Sequence, residues 1–307
     1  MGGPAKTNNP GFPFGLFPSA LHPYLELSRV RKLTGKAFIF WPFAWGLSMA
    51  AYRTGLPLQT YVTDMLRFFC VAYIVHSSCC TINDMFDRDV DAGVERTKDR
   101  PLPSGRVSMF AAFIHLLFQY GIGIWFIKSM DETAFFIYPL FKRFTNWPQA
   151  YLGFVISFGL IVAWVDTTHS IDPKLLAAMF VASTCWTIQY DTIYACQDRE
   201  DDVKMGVGST AVLFGNCVVP FVQVNALIFV AFLIYAGNLN NQGVWYYLVT
   251  IGGTTVSLLR QFSMLDVKDA SSCANAFKQN AQLGWIVTLG IALDCYFTLQ
   301  VPLTSSA

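Results

Sequence analysis

Long apolar runs separated by short, highly charged stretches dominate the chain, and their lengths set the first expectation. A run of about 20 apolar residues matches the thickness of a bilayer core. Backbone polar groups have no water to bond in lipid, so such runs are expected as helices. Nine are read, at roughly 36–54, 62–82, 107–127, 133–145, 147–165, 174–195, 211–236, 243–262 and 281–302. The fourth is short and closes on FKRFTNWPQ, and Asn146-Trp147-Pro148 breaks the chain before the fifth. The expected fold is all-α, a polytopic membrane protein with nine transmembrane helices. A short disordered tail, rich in Pro and Gly, is expected over 1–30, and a single transmembrane domain over 31–307.

The basic residues test this count. With the N-terminus in the cytosol, alternate loops on that side hold 17 of the 21 Lys and Arg residues, and only Arg53, Arg67, Lys128 and Lys174 fall on the other. Dropping one early helix would scramble this positive-inside bias. Every even-numbered helix then ends at the cytosolic face, and each such end carries a polar cluster. Four convergent ends are expected to form a polar mouth over an apolar bundle.

Composition narrows the class further. The chain has 307 residues, 54% hydrophobic and 13% charged, with a mean hydropathy of +0.42, which is not the composition of a soluble globular domain. A net charge of +1 argues against nucleic acid as a partner. The eight cysteines form no CxxC pair and lie mostly in or beside apolar runs, so buried free thiols are expected rather than disulfides or zinc. The first thirty-odd residues show neither a signal h-region nor an Arg- and Ser-rich amphipathic pattern, so no cleaved signal or mitochondrial leader is expected there.

The charged stretch TINDMFDRDVDAGVERTKDRPLPSGR, residues 81–106, follows the second run. On a helix Asn83, Asp87 and Asp91 stand at i, i+4 and i+8 and share one stripe. Carboxylates so close repel one another unless a cation sits among them. Oxygen donors without Cys or His point to a hard ion, with Mg²⁺ shared with a phosphate as the usual case. Taken alone, the stretch also reads as a solvated acidic loop. A second cluster, YDTIYACQDREDDVKMGVGST at 190–210, places Asp191, Asp198 and Asp202 at i, i+7 and i+11 with Tyr190 and Tyr194 nearby. An offset of 113 lays Asp89-Val90, Gly93-Val94 and Thr97 over Asp202-Val203, Gly206-Val207 and Thr210, suggesting an old duplication.

Asn83-Asp84-x-x-Asp87-x-x-x-Asp91 with Glu95-Arg96-Thr97 and Arg100-Pro101 resembles the first motif of the UbiA family of intramembrane prenyltransferases. Tyr190-Asp191 through Asp198-Arg199-Glu200-Asp201-Asp202 is similar to its second, in the form of the 4-hydroxybenzoate polyprenyltransferase branch. The resemblance runs from about residue 24 to 300. At Arg31 and Leu33 the chain departs from the family's usual acidic residue and proline. The resemblance implies nine helices around a central cavity under a cytosolic cap, and Mg²⁺-dependent transfer of a prenyl chain from its diphosphate to an aromatic acceptor. It implies Asn83, Asp87 and Asp91 around one Mg²⁺ and Asp198 with Asp202 around another. Arg88, Lys142, Arg143 and Lys204 would hold the diphosphate. Asp84 and Asp191 are the candidate catalytic acids, and Arg29, Tyr138 and Tyr194 the candidates for binding the acceptor.

Two enzyme readings follow, and one rival from another class. A secretory-pathway enzyme of specialised metabolism, adding farnesyl to a phenolic acid as in fungal meroterpenoid pathways, is favoured by the missing leader and by Arg31 and Leu33. The alternative is a mitochondrial polyprenyltransferase of ubiquinone synthesis. A transporter would hold its acids near the bilayer midplane. Here the clusters lie at helix ends, and Asp294 alone sits deep in a run.

Overall fold

The computed structural model describes residues 11–93, 97–126, 147–206 and 208–300. Among these residues there are helices and turns and no strand. The chain divides into two compact units, Met1–Leu33 with Tyr73–Ile127, and Thr34–Ala72 with Lys128–Ala307. The boundary at 72/73 falls inside a helix, α3 (Leu58–Phe86).

In the first unit the expected tail is, from residue 11 on, a set of helical turns. Single 3-10 turns at Phe14–Leu16 and Ser19–Leu21 lead into α1, His22–Leu27. The His22 imidazole Nε2 donates to the carbonyls of Phe14 (2.9 Å) and Phe17 (3.1 Å), which is how this Pro-rich segment acquires a fixed path. The unit also holds the end of α3 (Leu58–Phe86), α4 (Arg88–Ala92) and α5 (Met109–Phe126). Its small core is Leu27, Leu102, Val107 and Ala112.

The second unit holds α2 (Leu33–Thr54, whose first residue belongs to the first unit), the start of α3, and α6 (Pro148–Thr168). It continues with α7 (Pro173–Ala195), α8 (Arg199–Met205), α9 (Thr210–Phe214) and α10 (Val218–Leu239). A π-helical segment, Tyr246–Gly253, runs into α11 (Thr254–Met264), and α12 spans Ala270–Gln300. Pro148 and Pro173 open α6 and α7, where a missing N–H costs nothing. Asp172 caps α7 by accepting from the Leu175 N–H at 3.1 Å, and Ser209 caps α9 through the Val212 N–H at 3.2 Å.

The core of this unit is aromatic. Trp41, Trp45 and Trp186 are buried, and each donates its indole N–H to α12: to the Ala281 carbonyl at 2.9 Å, the Gly284 carbonyl at 3.4 Å and Asn280 Oδ1 at 3.2 Å. A buried indole needs such a partner. Asp294, the deep acid, is 1% exposed and accepts the Gly243 N–H at 2.6 Å, an anchor for the turn before the π segment. Among the described residues, four helical stretches are long and apolar enough to cross a membrane: Leu58–Phe86, Pro148–Thr168, Thr210–Leu239 and Ala270–Thr298. The protein is accordingly a multi-pass membrane protein. The expected fourth helix, 133–145, lies outside the described residues. All eight cysteines are free. Cys196 and Cys273 are buried in one apolar cluster, and Cys196 Sγ donates to the Thr192 carbonyl at 3.3 Å; the neighbouring Cys273 thiol and burial push the Cys196 thiol up.

Candidate active site

The first acidic stretch is built on the end of α3. Helical bonding carries through the break at Asp87, with the Asp87 N–H on the Asn83 carbonyl at 2.9 Å and the Asp91 N–H on the Asp87 carbonyl at 2.7 Å. Asn83, Asp87 and Asp91 therefore do lie one turn apart along one stripe. Asn83 and Asp87 are half-buried, Asp91 is buried, and Arg88 is exposed.

Asp84 points elsewhere. It is 1% exposed and takes Arg29 Nη2 at 2.7 and 2.9 Å on its two oxygens, and Arg100 Nη1 at 3.2 Å. The same Arg100 nitrogen reaches Asp91 Oδ2 at 2.7 Å. Thr97 Oγ1 donates to the Asp91 carbonyl at 2.9 Å, and the Arg100 N–H bonds the Thr97 carbonyl at 2.9 Å, which turns the loop so that Arg100 faces back. Asp84, expected among the catalytic acids, and Arg29, expected to bind the acceptor, thus meet in one ion-paired lock. Buried charges of this kind orient a neighbourhood when every lone pair is answered. Arg29 holds a left-handed backbone at φ 51°, unusual for a residue with a side chain.

The second stretch repeats the local design of the first. α7 ends at Ala195, a 3-10 turn covers Cys196–Asp198, and α8 follows. Asp198 stands at the N-cap of α8 with φ −107° and ψ 7°; Asp87 stands at the N-cap of α4 with φ −97° and ψ 7°. Each has its second acid, Asp202 or Asp91, four residues on. The structural register of the repeat is therefore 111 residues, aligning Asp87-Arg88-Asp89-x-Asp91 with Asp198-Arg199-Glu200-x-Asp202, and the offset of 113 is corrected. Asp198 is exposed and Asp202 half-buried, the latter accepting from Ser209 Oγ at 3.4 Å. Arg199 turns to the Gly215 carbonyl at 3.2 Å. Thr192 and Thr210 share a 2.6 Å hydrogen bond, and the Thr210 N–H donates to buried Gln149 at 3.1 Å, tying the loop after α8 to α6 and α7.

Asp191 is half-buried on the last turns of α7, and Lys204 is exposed in the last turn of α8. Tyr138, Lys142 and Arg143 lie outside the described residues. An aromatic wall stands beside Asp191. Tyr190 stacks on Phe38 with centroids 3.9 Å apart, and Trp186 packs on Tyr190 at 4.9 Å. Tyr194 packs on Phe277 at 4.5 Å. Phe38 was not singled out in the sequence, whereas Tyr190 and Tyr194 were, beside the second acidic cluster. Elsewhere Phe40, Trp41, Phe68, Trp164 and Trp186 are buried, Tyr73 is half-buried, and Phe69 and Phe154 are exposed.

Among the described residues no three His, Cys, Asp or Glu side chains gather into a closed metal cage. The donors present still fit Mg²⁺. Each cluster offers two carboxylates one turn apart with oxygen donors only, and Mg²⁺ commonly takes one or two carboxylates and completes its octahedron with phosphate and water.

Among the described residues, apolar helices of spanning length, with acidic turns of oxygen donors only after α3 and after α7, define an all-helical membrane protein. The chain belongs to the UbiA prenyltransferase family, whose profile matches residues 39–287, and it is a prenyltransferase. It is 43% identical over 296 residues to the UbiA prenyltransferase claS of Ampulloclitocybe clavipes, covering 92% of this chain and 94% of that one. It is 34% identical over 290 residues to the mitochondrial 4-hydroxybenzoate polyprenyltransferase of Arabidopsis thaliana, covering 91% and 70%. Its fold is similar to that of a UbiA homolog from Archaeoglobus fulgidus bound to GPP and Mg²⁺, with a TM-score of 0.65 and 19% identity over 90% of this chain and 99% of that one.

Proposed function

We propose that the protein transfers a farnesyl group from its diphosphate to a ring carbon of a phenolic acid, with Mg²⁺, in a meroterpenoid pathway of specialised metabolism. The carrying observation is the repeated acidic turn, Asp87 with Asp91 after α3 and Asp198 with Asp202 after α7, each in the same backbone setting at the N-cap of a short helix. Near full-length similarity to the UbiA prenyltransferase claS of Ampulloclitocybe clavipes supports prenyl transfer, and Arg31 and Leu33, where the family's usual acidic residue and proline are missing, favour the specialised pathway. The 17-to-4 distribution of basic residues supports nine helices with both turns at the cytosolic face of an endomembrane such as the endoplasmic reticulum.

Asn83, Asp87 and Asp91 would hold one Mg²⁺ and Asp198 with Asp202 another. Bound Mg²⁺ supplies positive charge against the diphosphate. Arg88, Lys142, Arg143 and Lys204 bind its remaining oxygens and favour the departing anion. The allylic C–O bond breaks with its electron pair leaving on the diphosphate, and a π pair of the phenol ring forms the new C–C bond. Asp191 takes the ring proton. Tyr190, Tyr194 and Phe277 exclude water from the allylic cation and present aromatic faces, each worth about 1–2 kcal/mol to a desolvated cation. Tyr194 and Tyr138 bind the acceptor. Arg29 and Asp84, held together, support the first turn from behind.

A second reading, a 4-hydroxybenzoate polyprenyltransferase of ubiquinone synthesis, is favoured by the mitochondrial relative. Membranes of an expressing host, given farnesyl diphosphate and a panel of phenolic acids, test both. A mass gain of one farnesyl unit, lost on chelation of Mg²⁺, is expected. Product only from long polyprenyl diphosphates and 4-hydroxybenzoate would select the second reading, and no product with any donor would reject both.

A further inference from the structure

The turn that ends α1 has the geometry of a glycine turn. The Arg29 N–H bonds the Glu26 carbonyl at 2.9 Å and the Val30 N–H bonds the Leu25 carbonyl at 3.1 Å, the paired bonds of a Schellman cap. Such a cap needs a left-handed residue, and here it is Arg29, at φ 51°. Glycine takes that conformation at no steric cost, whereas a residue with a Cβ does not. A residue strained in this way persists only where its surroundings over-determine it.

Those surroundings are a hydrogen-bond network around Ser28, all of it within the first unit. The Ser77 hydroxyl donates to the Ser28 carbonyl at 3.1 Å. Ser28 Oγ stands 2.9 Å from His115 Nε2 and accepts from Gln119 Nε2 at 3.0 Å. At the other end of the same amide, Gln119 Oε1 accepts from Thr81 Oγ1 at 3.3 Å. Ser28, Ser77, Thr81 and Gln119 are all buried. On α3, Ser77, Thr81 and Asp84 follow at i, i+4 and i+7 and share one face. The Gln119 amide therefore joins the residue before Arg29 to a residue one turn ahead of Asp84. Arg29 gives Asp84 two hydrogen bonds, and Arg100 links Asp84 to Asp91.

We propose that Gln119 is a positioning residue for the first acidic turn. By bridging Ser28 to Thr81 it keeps Arg29 left-handed with its guanidinium on Asp84, and so fixes the Arg100 side chain that reaches Asp91. The inference rests on the reading that Asn83, Asp87 and Asp91 hold Mg²⁺. Groups that orient a metal's ligands from behind commonly change its affinity by about 10–100-fold when removed. Gln119 acts through Ser28, Arg29 and Arg100 in turn, so an effect at the lower end of that range is expected.

Gln119→Leu, which keeps the side chain's size and removes both polar ends, tests this in the full chain held in nanodiscs. Two quantities are read: Mn²⁺ binding by electron paramagnetic resonance with pyrophosphate present, and amide hydrogen exchange by mass spectrometry. Mn²⁺ favours the same oxygen donors as Mg²⁺. One Mn²⁺ is expected to bind about tenfold more weakly than in wild type. Peptides covering 24–31 and 83–93 should exchange faster, while those of α6, in the second unit, keep the wild-type rate. Ser28→Ala should reproduce both changes, and the double variant should add nothing further, because both substitutions cut one bridge. Leu116→Ala, a buried apolar change on the same helix, should lower the melting temperature and leave Mn²⁺ binding alone. Unchanged exchange at 24–31 and 83–93 in Gln119→Leu would overturn the proposal. So would faster exchange spread evenly through both units, or a loss of Mn²⁺ affinity in Leu116→Ala equal to that in Gln119→Leu. A wild type that bound no Mn²⁺ would instead remove the metal reading of the turn, and the exchange at 24–31 and 83–93 would still decide the bridge.

Discussion

Asp87 and Asp198 each stand at a helix break, at the N-cap of the short helix that follows. Replacing either by Ala removes one carboxylate and leaves the backbone turn. Turnover in membranes is expected to fall by at least about 100-fold for each, equivalent to about 2.7 kcal/mol of lost transition-state stabilisation, with protein levels unchanged by immunoblot. Full activity in either variant would end the two-metal reading. Asp84 behaves differently, because its partners are structural. Arg100→Gln strips one guanidinium from two acids, and breaking a buried pair costs about 3–5 kcal/mol. Arg106→Gln removes a pair whose side chains are both about two-fifths exposed and costs at most about 1 kcal/mol. Melting in detergent, followed by size-exclusion chromatography, should show Arg100→Gln several degrees below Arg106→Gln. The stripe of Asn83, Asp87 and Asp91 was legible because it depends only on local helical spacing. The Arg29–Asp84–Arg100 lock was not, because its members are 55 and 16 residues apart and nothing local joins them.

At the scale of elements, hydropathy found the helices whose ends are set by the apolar run itself. The runs at 147–165 and 174–195 correspond to α6 and α7 within three residues at each end. It was silent where hydrogen bonding rather than burial decides. The run at 211–236 is broken by a 3-10 turn at Gly215–Cys217, and the run at 243–262 passes through the π segment before α11. α12 begins at Ala270, eleven residues before the expected 281, because its first turns carry Ser271, Ser272, Asn275 and Lys278 and look like loop. The repeat was seen at the wrong register for a similar reason: Gly and Val identities outvoted the shared Asp-Arg-acid-x-Asp turn. Packing between elements adds a test that hydropathy does not supply. A Cβ on Gly46 of α2 would collide with the Leu160 carbonyl of α6, a rigid backbone atom. Gly46→Ala is expected to cost about 1–3 kcal/mol by overpacking. Its melting temperature should fall, whereas Gly121→Ala, whose Cβ meets nothing within 4 Å, should match wild type.

For the whole molecule, membership of the UbiA family and an all-helical fold were both legible, the first from two short motifs and the second from composition. The pathway depends on the organelle as well as the chemistry. A fluorescent fusion is expected to overlay an endoplasmic reticulum marker, and overlay on a mitochondrial marker would move the protein to ubiquinone synthesis. The Arg29–Asp84–Arg100–Asp91 lock also bears on how the chain is made. All four residues belong to the first hundred, and domains fold as units while synthesis proceeds from the N-terminus at about 5–20 residues per second. The lock can therefore close on the ribosome while the codons for Asp198 and Asp202 are still unread, and a nascent chain stalled after residue 127 should already resist protease around Arg100.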